Sequence, residues 1–564
     1  MDEAPWFRHY EQGVPRSIPD PEMTLPEALD QAVARFPDRV ALRFFLDARL
    51  PVPALTYRQL QDETRRFATA LFQLGVRKGD RVALMLPNCP QFVVAFYGAL
   101  RIGAIPVNTN PLYVSREMRE QFEDSGCETV VLLDQFYPRL REIHAATRVR
   151  RVIVVDVAER LPWYARLLVH VAQRRKGEAV RIPAETDTYL LRDLVRRYPP
   201  TPPGADLKPS DVALLQYTGG TTGTPKAAML THRNLVSNAL QAQAWFPSAA
   251  GGIYLGAIPF FHVYGLTSVL LFGIAQAAEI VVVPRPRPVD IVLEAIQRFR
   301  VSLFPGVPTL YAALNDHPRV GEYDLRSGAL CVSGAAPLPR EVFERFEALT
   351  GGRLVEGYGL TETSPLTHCT PILGERRPGS IGLPFPSTEA RIVDLASGEP
   401  VAPGEEGELE VRGPQVMLGY WGRPEETAEV FHDGWLRTGD VARMDPDGFF
   451  YVVDRRKDMI DASGFKVLPR EVEEVLFMHP KIREAVVAGV PDAYRGETVK
   501  AFVVLEPGEA ATAEEIVEFC RLHLAPFKVP RKVEFRAELP KSMVGKYLRR
   551  VLVEEERAPR VPAP

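Results

Sequence analysis

Residues Tyr217 to Lys226 read "YTGGTTGTPK", which places three glycines, four threonines and a lysine within ten positions. Glycines let backbone N–H groups approach an anion closely, and threonine hydroxyls and a lysine ammonium add donors. The chemistry open to such a run is the holding of phosphate. It is not the usual phosphate loop, which reads G-x-x-x-x-G-K-[ST] and opens a helix. Here Thr224 and Pro225 separate Gly223 from Lys226, and Ala227 follows the lysine. "VALLQY" before the run and "AAML" after it read as strands. Only then does Thr231 cap a helix, with Leu235, Ala239 and Ala242 on one face. The expectation is a strand–loop–strand cradle. A generic Gly/Thr turn is the plain alternative, but it does not need small or donor residues at nearly every position.

Elements that could hold such a loop recur along the chain. "TYRQLQDETRRFATALFQLGV" opens with a capping box, Thr56 with Gln59, continues with Leu60, Phe67, Leu71 and Leu74 at helical spacing, and ends at Gly75. "RVALMLP", "AIPVNTN", "TVVLLD" and "RVIVVD" read as short strands, with "QFVVAFYGALRIG" and other helical stretches between them. This alternation predicts α/β architecture with parallel sheets covered by helices. "SVLLFGIAQAAEIVVVP" is the most apolar long stretch, but it is short for a membrane span and contains Gln276 and Glu279. A buried helix followed by a core strand is expected there.

The composition suits several cores: 564 residues, 46% hydrophobic and 25% charged. A net charge of −4 with no dominant Lys/Arg run argues against a nucleic-acid partner. Five scattered cysteines match neither a disulfide framework nor a zinc site. With an acidic, polar start, "MDEAPWFRHYEQ", they point to the cytoplasm.

"LPWYARLLVHVAQRRKG", Leu161 to Gly177, stands apart. Trp163, Tyr164, Leu167, Leu168 and Val171 precede Arg174, Arg175 and Lys176. An ordinary surface helix packed on the body is the favoured reading; contact with an anionic membrane surface is the alternative. Later, "DGFFYVVDRRKDMIDASGFKVLPREVEEVL" marks a boundary. Beyond it the pattern is helix, strand ("EAVVAGV"), strand ("TVKAFVVL"), helix ("AEEIVEFCRLHL") and strand ("KVEFR"), then a polar tail, "EEERAPRVPAP". That is a compact α+β unit of about 100 residues.

With "YTGGTTGTPK", the segments "PFFHVYGL" (Pro259 to Leu266), "SGAAPLP" (Ser333 to Pro339), "EGYGLTETSP" (Glu356 to Pro365), "WLRTGD" (Trp435 to Asp440), "DRRKDMI" (Asp454 to Ile460), "SGFKVLPREVE" and "LPKSMVGKYLRR" run in order through nearly the whole chain. This set resembles the AMP-forming acyl-adenylating superfamily of acyl-CoA synthetases, nonribosomal adenylation domains and luciferases. The resemblance implies a large domain of parallel and mixed sheets, residues 1–453, a hinge at 454–459, and a small mobile domain, 460–564. It implies ATP, magnesium and coenzyme A.

The implied reaction has two steps. A carboxylate attacks the α-phosphate of ATP to give acyl-AMP and pyrophosphate, and a thiol then displaces AMP. The first step brings anions together, and each like-charge contact costs roughly 4 kcal/mol at an effective dielectric of about 20. By resemblance, Gly219, Gly220, Thr221, Thr222, Gly223 and Lys226 hold the phosphates, and Thr218 and Glu362 hold magnesium. Lys546 bridges the substrate carboxylate and the α-phosphate; an ordinary surface lysine is the alternative. Gly334, Ala335 and Ala336 lie along the adenine, which stacks on Tyr358 within the run that includes Gly357, Gly359 and Thr361. Asp440 and Arg455 contact the ribose. His262 lines the passage from acyl pocket to thiol channel, with a satisfied core histidine as the alternative. Lys457 is the pivot of a domain swing that withdraws Lys546 and presents Gly464 and Lys466 to coenzyme A.

Within the superfamily the resemblance is nearest to bacterial long-chain fatty acyl-CoA synthetases, through "PWFRHYEQGVP", "MLPNCPQFVVAFYGALRIGAIPVNTNPLY" and "GVPDAYRGETVKAFVVL". A long-chain fatty acid is then the expected substrate. Medium-chain or aryl acids of the hydroxycinnamate type are the alternative. No carrier domain follows Lys546, so transfer to a fused carrier protein is not expected. A catalytically silent nucleotide-binding protein is the rival from another class, and Thr218, Glu362, Asp440 and Lys546 argue against it. A homodimer is carried only as an expectation.

Overall fold

The structure, a computed structural model, describes residues 4–183, 187–218, 225–328, 330–455, 458–462, 465–492, 496–542 and 547–557. Two large sheets form its frame. One has eight strands, in the order Gly419–Tyr420, Lys226–Thr231, Val212–Thr218, Ile105–Asn108, Arg81–Met85, Thr129–Leu133, Arg151–Val155 and Thr188–Leu190. From Val212–Thr218 to Thr188–Leu190 its pairings are parallel. Continuous apolar runs such as "TVVLL", buried at every position, are what a sheet covered on both faces requires. The second sheet has nine strands, with Leu303–Gly306, Leu330–Ser333 and Arg353–Gly359 parallel neighbours in it.

Helices fill the space around these sheets for local reasons. Thr56 Oγ1 accepts from the Gln59 amide at 3.2 Å while Gln59 Oε1 accepts from the Thr56 amide at 2.9 Å, so the expected capping box starts the helix Tyr57–Gln73. Leu60, Phe67 and Leu71 are fully buried on its inner face. Gly75, at φ +89°, supplies the left-handed turn after it. "SVLLFGIAQAAEIVVVP" is a buried helical run, with a π-helical turn at Leu266–Leu271, followed by the core strand Glu279–Val282. No helix among the described residues is long and apolar enough to cross a membrane.

A third sheet, built on Glu389–Val393, Glu406–Arg412 and Trp435–Met444, is entirely antiparallel. One hydrophobic core runs from Trp6 to Phe450. Residues from Ile460 onward build two smaller cores on opposite faces of a fourth sheet. In its strand Ile482–Asp492, Ala485 and Val487 enter one core and Val486, Ala488 and Val490 the other, as the period of two demands. The second face needs a cover, and this corrects the expected polar tail: Arg549–Arg557 is a helix that takes in Glu554, Glu555 and Glu556. Leu552, fully buried, is its anchor, and Arg536–Glu555 (2.6 Å) and Lys500–Glu556 (2.8 Å) hold its polar side.

Helix Trp163–Arg175 is the exception to this burial. Ala165 is its one buried residue, seated in a small cluster with Ala158 and Leu161. Trp163 is 78% exposed, and Leu167 and Leu168 are 57% and 61% exposed. Asp156 tethers it by accepting from Arg166 at 2.7 Å and pairing with His170 at 3.2 Å.

Candidate functional site

Several loops of the site follow the C-terminal ends of parallel strands, where open α/β sheets place their ligands. Val212–Thr218 and Lys226–Thr231 are antiparallel and in register at Thr218 and Lys226, which is the expected strand–loop–strand frame. Gly219, Gly220, Thr221, Thr222 and Gly223 lie outside the described residues. Both rims of the loop are tied to one segment, Met417 to Glu426. Lys226 Nζ is 3.1 Å from a Glu426 carboxylate oxygen and 5.4 Å from the centre of the Tyr420 ring. Tyr217 donates to Asp124 at 2.7 Å, and Asp124 also accepts from Arg423 at 2.7 Å.

Glu362 reaches the same corner from the other large sheet. It lies in a single 3₁₀ turn, Thr361–Thr363, after the strand Arg353–Gly359. Its carbonyl accepts from the Met417 amide at 2.8 Å, and its Oε1 accepts from the Tyr420 hydroxyl at 2.8 Å. Lys226 and Glu362 are thereby drawn to one place around Tyr420, and Thr218 pairs with Lys226 in the ladder.

Upstream in the same strand, the Tyr358 hydroxyl donates to Asp440 Oδ2 at 2.6 Å, and Asp440 is buried. A phenol face and a buried carboxylate so joined could meet a nucleoside through its base and its hydroxyls. His368 pairs with Tyr358 across the ladder. Burial pushes its pKa down to about 3, so a neutral ring backs Tyr358. Gly359 permits a close approach there: a Cβ on it would meet the Pro365 carbonyl oxygen at 1.8 Å. A Cβ on Gly334 would meet the Tyr264 ring at 2.9 Å, and Ala335 sits at φ +70°. The Gly334–Ala336 turn is therefore held in a shape that ordinary side chains resist, as functional turns often are. Gly357 does not need to be glycine for space, since a Cβ there would have ordinary contacts.

His262 caps the short helix Val263–Gly265, its Nδ1 accepting from the Tyr264 amide at 3.2 Å. Tyr264 then donates to Gly306 and Val332 carbonyls, beside Gly334. Two residues without a sequence signal fix this loop. Gln216 donates to the Phe261 carbonyl at 3.0 Å, and Asn88 accepts from the Phe260 amide at 2.7 Å while donating to Gly256 and Ile258 carbonyls. Arg455 is placed by its backbone, opposite Asp440 in the ladder, and Lys466 opposite Asp461. Lys457, Gly464 and Lys546 lie outside the described residues.

The five cysteines are buried and unbonded, and burial pushes the Cys89 and Cys127 thiols up to about 12. Cys331 and Cys369 are small core residues beside the site.

The family model described as AMP-binding enzyme matches residues 29–421, and that of the AMP-binding enzyme C-terminal domain matches residues 471–546. The chain belongs to the AMP-binding enzyme family. Among relatives of this AMP-binding enzyme, the long-chain-fatty-acid–CoA ligase of Bacillus subtilis is 45% identical over 99% of both chains. That of Escherichia coli O157:H7 is 42% identical over 98% of both. Among solved structures, ATP-bound MatB from Rhodopseudomonas palustris superposes with a TM-score of 0.82 at 28% identity, over 94% of this chain and 99% of that one. These likenesses run through both the large body and the final unit of the AMP-binding enzyme. They do not single out Tyr420, Gln216 or Asn88. Tyr420 is 58 positions from Glu362, and only the fold brings the two together.

Proposed function

We propose that this protein joins a long-chain fatty acid to coenzyme A, with ATP converted to AMP and pyrophosphate. A carboxylate oxygen of the acid attacks the α-phosphorus, and the bond to pyrophosphate breaks. The thiolate of coenzyme A then attacks the acyl carbonyl carbon and AMP leaves. The observation that carries this reading is the joining of two groupings by one strand and its following turn: Tyr358 on Asp440, and Glu362 beside Tyr420 and Lys226. The first suits a nucleoside and the second its phosphates. The names of the full-length relatives supply the acid and the thiol.

In this reading Tyr358 and the backbone of Gly334 to Ala336 receive adenine, and Asp440 accepts from the ribose hydroxyls with Arg455 nearby. Lys226 and the 219–223 run hold phosphate. Thr218 and Glu362 offer hard oxygen donors of the kind magnesium takes. Glu362 fits that role: Tyr420 holds one carboxylate oxygen, and among the described residues no donor occupies the other. When bound, the ion neutralises phosphate charge. Lys546 bridges the two reacting anions, and His262 borders the path between acyl group and thiol.

We assign residues 1–453 to the adenylating body, 454–459 to a hinge and 460–564 to a mobile unit carrying Lys546, Gly464 and Lys466, with Lys457 as pivot. Support comes from the separate cores on either side of the hinge. Asp454 accepts from the Arg470 amide at 2.8 Å, and Arg549 donates to Asp458 at 2.9 Å and to Glu473 at 2.7 Å. The ends of the hinge are thus gripped by the small unit. Helix Trp163–Arg175 is assigned to the surface of an anionic membrane, supported by its exposed aromatic and aliphatic side chains and the basic residues at its end. Peripheral attachment from the cytoplasm follows.

The test is acid-dependent pyrophosphate release followed by coenzyme A-dependent AMP release, across acids from octanoate to oleate with coumarate as control. Oleate should outrun octanoate and coumarate. Faster turnover of coumarate would replace the fatty-acid reading with an aryl-acid one.

A further inference from the structure

Tyr420 touches both charges of the phosphate corner. Its hydroxyl donates to Glu362 Oε1 at 2.8 Å, while the Lys226 ammonium lies 5.4 Å from the centre of its ring. The residue has little freedom. Its strand, Gly419–Tyr420, pairs with Met229 and Ala228, and its amide donates to Thr427 Oγ1 at 2.9 Å. Gly419 before it has no room for a Cβ, which would meet Thr427 at 2.7 Å. The side chain is buried, and its hydroxyl is a neutral donor to the carboxylate.

We propose that Tyr420 is a positioning residue that keeps Glu362 and Lys226 apart and separately aimed. This rests on the reading of Glu362 as a metal ligand and Lys226 as a phosphate donor. Glu362 and Lys226 in one corner would otherwise pair with each other, and binding would then have to break the contact that orients the carboxylate. Here one carboxylate oxygen is held by a neutral donor, and among the described residues no donor takes the second. The ammonium rests against the ring face and on Glu426 at 3.1 Å, close to the strand register it shares with Thr218. An incoming phosphate replaces the Glu426 carboxylate as partner of Lys226, while Glu362 keeps its orientation. The sequence distance between Tyr420 and Glu362 hides this link from any local motif.

The experiment separates hydroxyl from ring. Tyr420→Phe keeps the ring and loses the hydroxyl; Tyr420→Leu loses both. For the full chain, Mn2+ binding is read by electron paramagnetic resonance with a non-hydrolysable ATP analogue present. Binding of the analogue without metal is read by calorimetry, and thermal unfolding reports folding. Outer-shell partners of metal ligands are worth roughly tenfold in affinity or more. Tyr420→Phe should therefore weaken Mn2+ about tenfold while metal-free nucleotide affinity stays within about twofold. Tyr420→Leu should weaken both, through the lost cation–π contact. Glu362→Gln is the control. If it weakens Mn2+ and Tyr420→Phe binds Mn2+ as the wild type does, the Tyr420 proposal is overturned alone. If Glu362→Gln also leaves Mn2+ affinity unchanged, the metal-ligand reading beneath it has failed. Equal loss of metal-bound and metal-free affinity in a normally folded Tyr420→Phe protein overturns the separation of roles.

Discussion

Across the candidate nucleotide site, polar groups are drawn inward: Asp440 is 3% exposed and the Lys226 side chain 17%. Along Trp163–Arg175, apolar groups are left outside: Trp163 is 78% exposed and Leu168 61%. Both regions run against the ordinary sorting of side chains, in opposite senses. The inward polar groups are partnered by Tyr358, Tyr420 and Glu426, so their burial is stabilised locally and leaves faces ready for a charged ligand. Of the outward apolar groups, Trp163 and Tyr164 meet each other edge to face, with ring centres 6.0 Å apart, and the aliphatic side chains between them and the basic end stay exposed. A buried polar cluster therefore points to a ligand with charge, and an exposed aromatic stripe with a basic end points to a surface.

The sharpest way to break the comparison is to remove a charge that the proposed adenylation needs. Lys546→Ala should slow adenylation roughly 10²–10³-fold, by analogy with other lost transition-state donors. Thioester formation from supplied acyl-AMP should stay near wild type, and Lys457→Pro should show the reverse split because its fixed φ hinders the swing. Equal slowing of both half-reactions by Lys546→Ala would leave a single fixed site in place of two alternating ones.

The next test weighs one leucine against another. Leu71→Ala opens a cavity in the main core and should cost about 2–5 kcal/mol in denaturant unfolding. Leu168→Ala should change stability by no more than about 0.5 kcal/mol. A large loss at Leu168 would mean that its helix belongs to the core after all.

Reversing Arg174, Arg175 and Lys176 together should remove about 1 kcal/mol of attraction to anionic lipid per site. Vesicle co-sedimentation should then fall by two orders of magnitude or so, with turnover of soluble acids unchanged. A wild type that never sediments with anionic vesicles would refute the membrane assignment.

The smallest effect concerns a buried polar group without a ligand. Burial pushes His232 down to about 4, and Asp211 and Glu27 oppose this less strongly. An unfolded histidine titrates at about 6.5. Between these values the unfolded chain holds more protons, so this contribution to stability is present above about pH 6.5 and is lost as pH falls toward 4. The loss at pH 5 should be about 2 kcal/mol. Protonation at Nδ1 would also break its bond from the Leu25 amide, 3.3 Å long. His232→Gln should flatten the dependence between pH 7 and pH 5; an unaltered slope would place the titrating group elsewhere.

Much of this was legible because it is local. Thr56 with Gln59, and Thr231 ahead of its helix, are capping patterns set by neighbours three residues apart, and both form as read. The strands around "YTGGTTGTPK" were recognisable because short apolar runs flank it, while Thr224 and Pro225 between Gly223 and Lys226, with Ala227 after the lysine, depart from the usual phosphate-loop spacing. Glu554 to Glu556 misled because their charge masks the inward residues, Leu552 with the partly buried Val553, that seat this segment as a helix. The exposed stripe from Trp163 to Val171 was read in favour of packing, because apolar spacing marks a face without naming its neighbour.

By itself, then, the sequence determined the alternation of strands and helices in the large body and the strand frame around the Gly/Thr run, since each depends on spacing along a few turns of chain. Only the tertiary structure decided that Tyr358 rests on Asp440, that Gln216 and Asn88 hold the loop before His262, and that Tyr420 stands between Glu362 and Lys226. Those contacts join strands and loops across dozens to hundreds of residues. A side chain's partner at that range is set by how the sheets pack, and no local pattern encodes it.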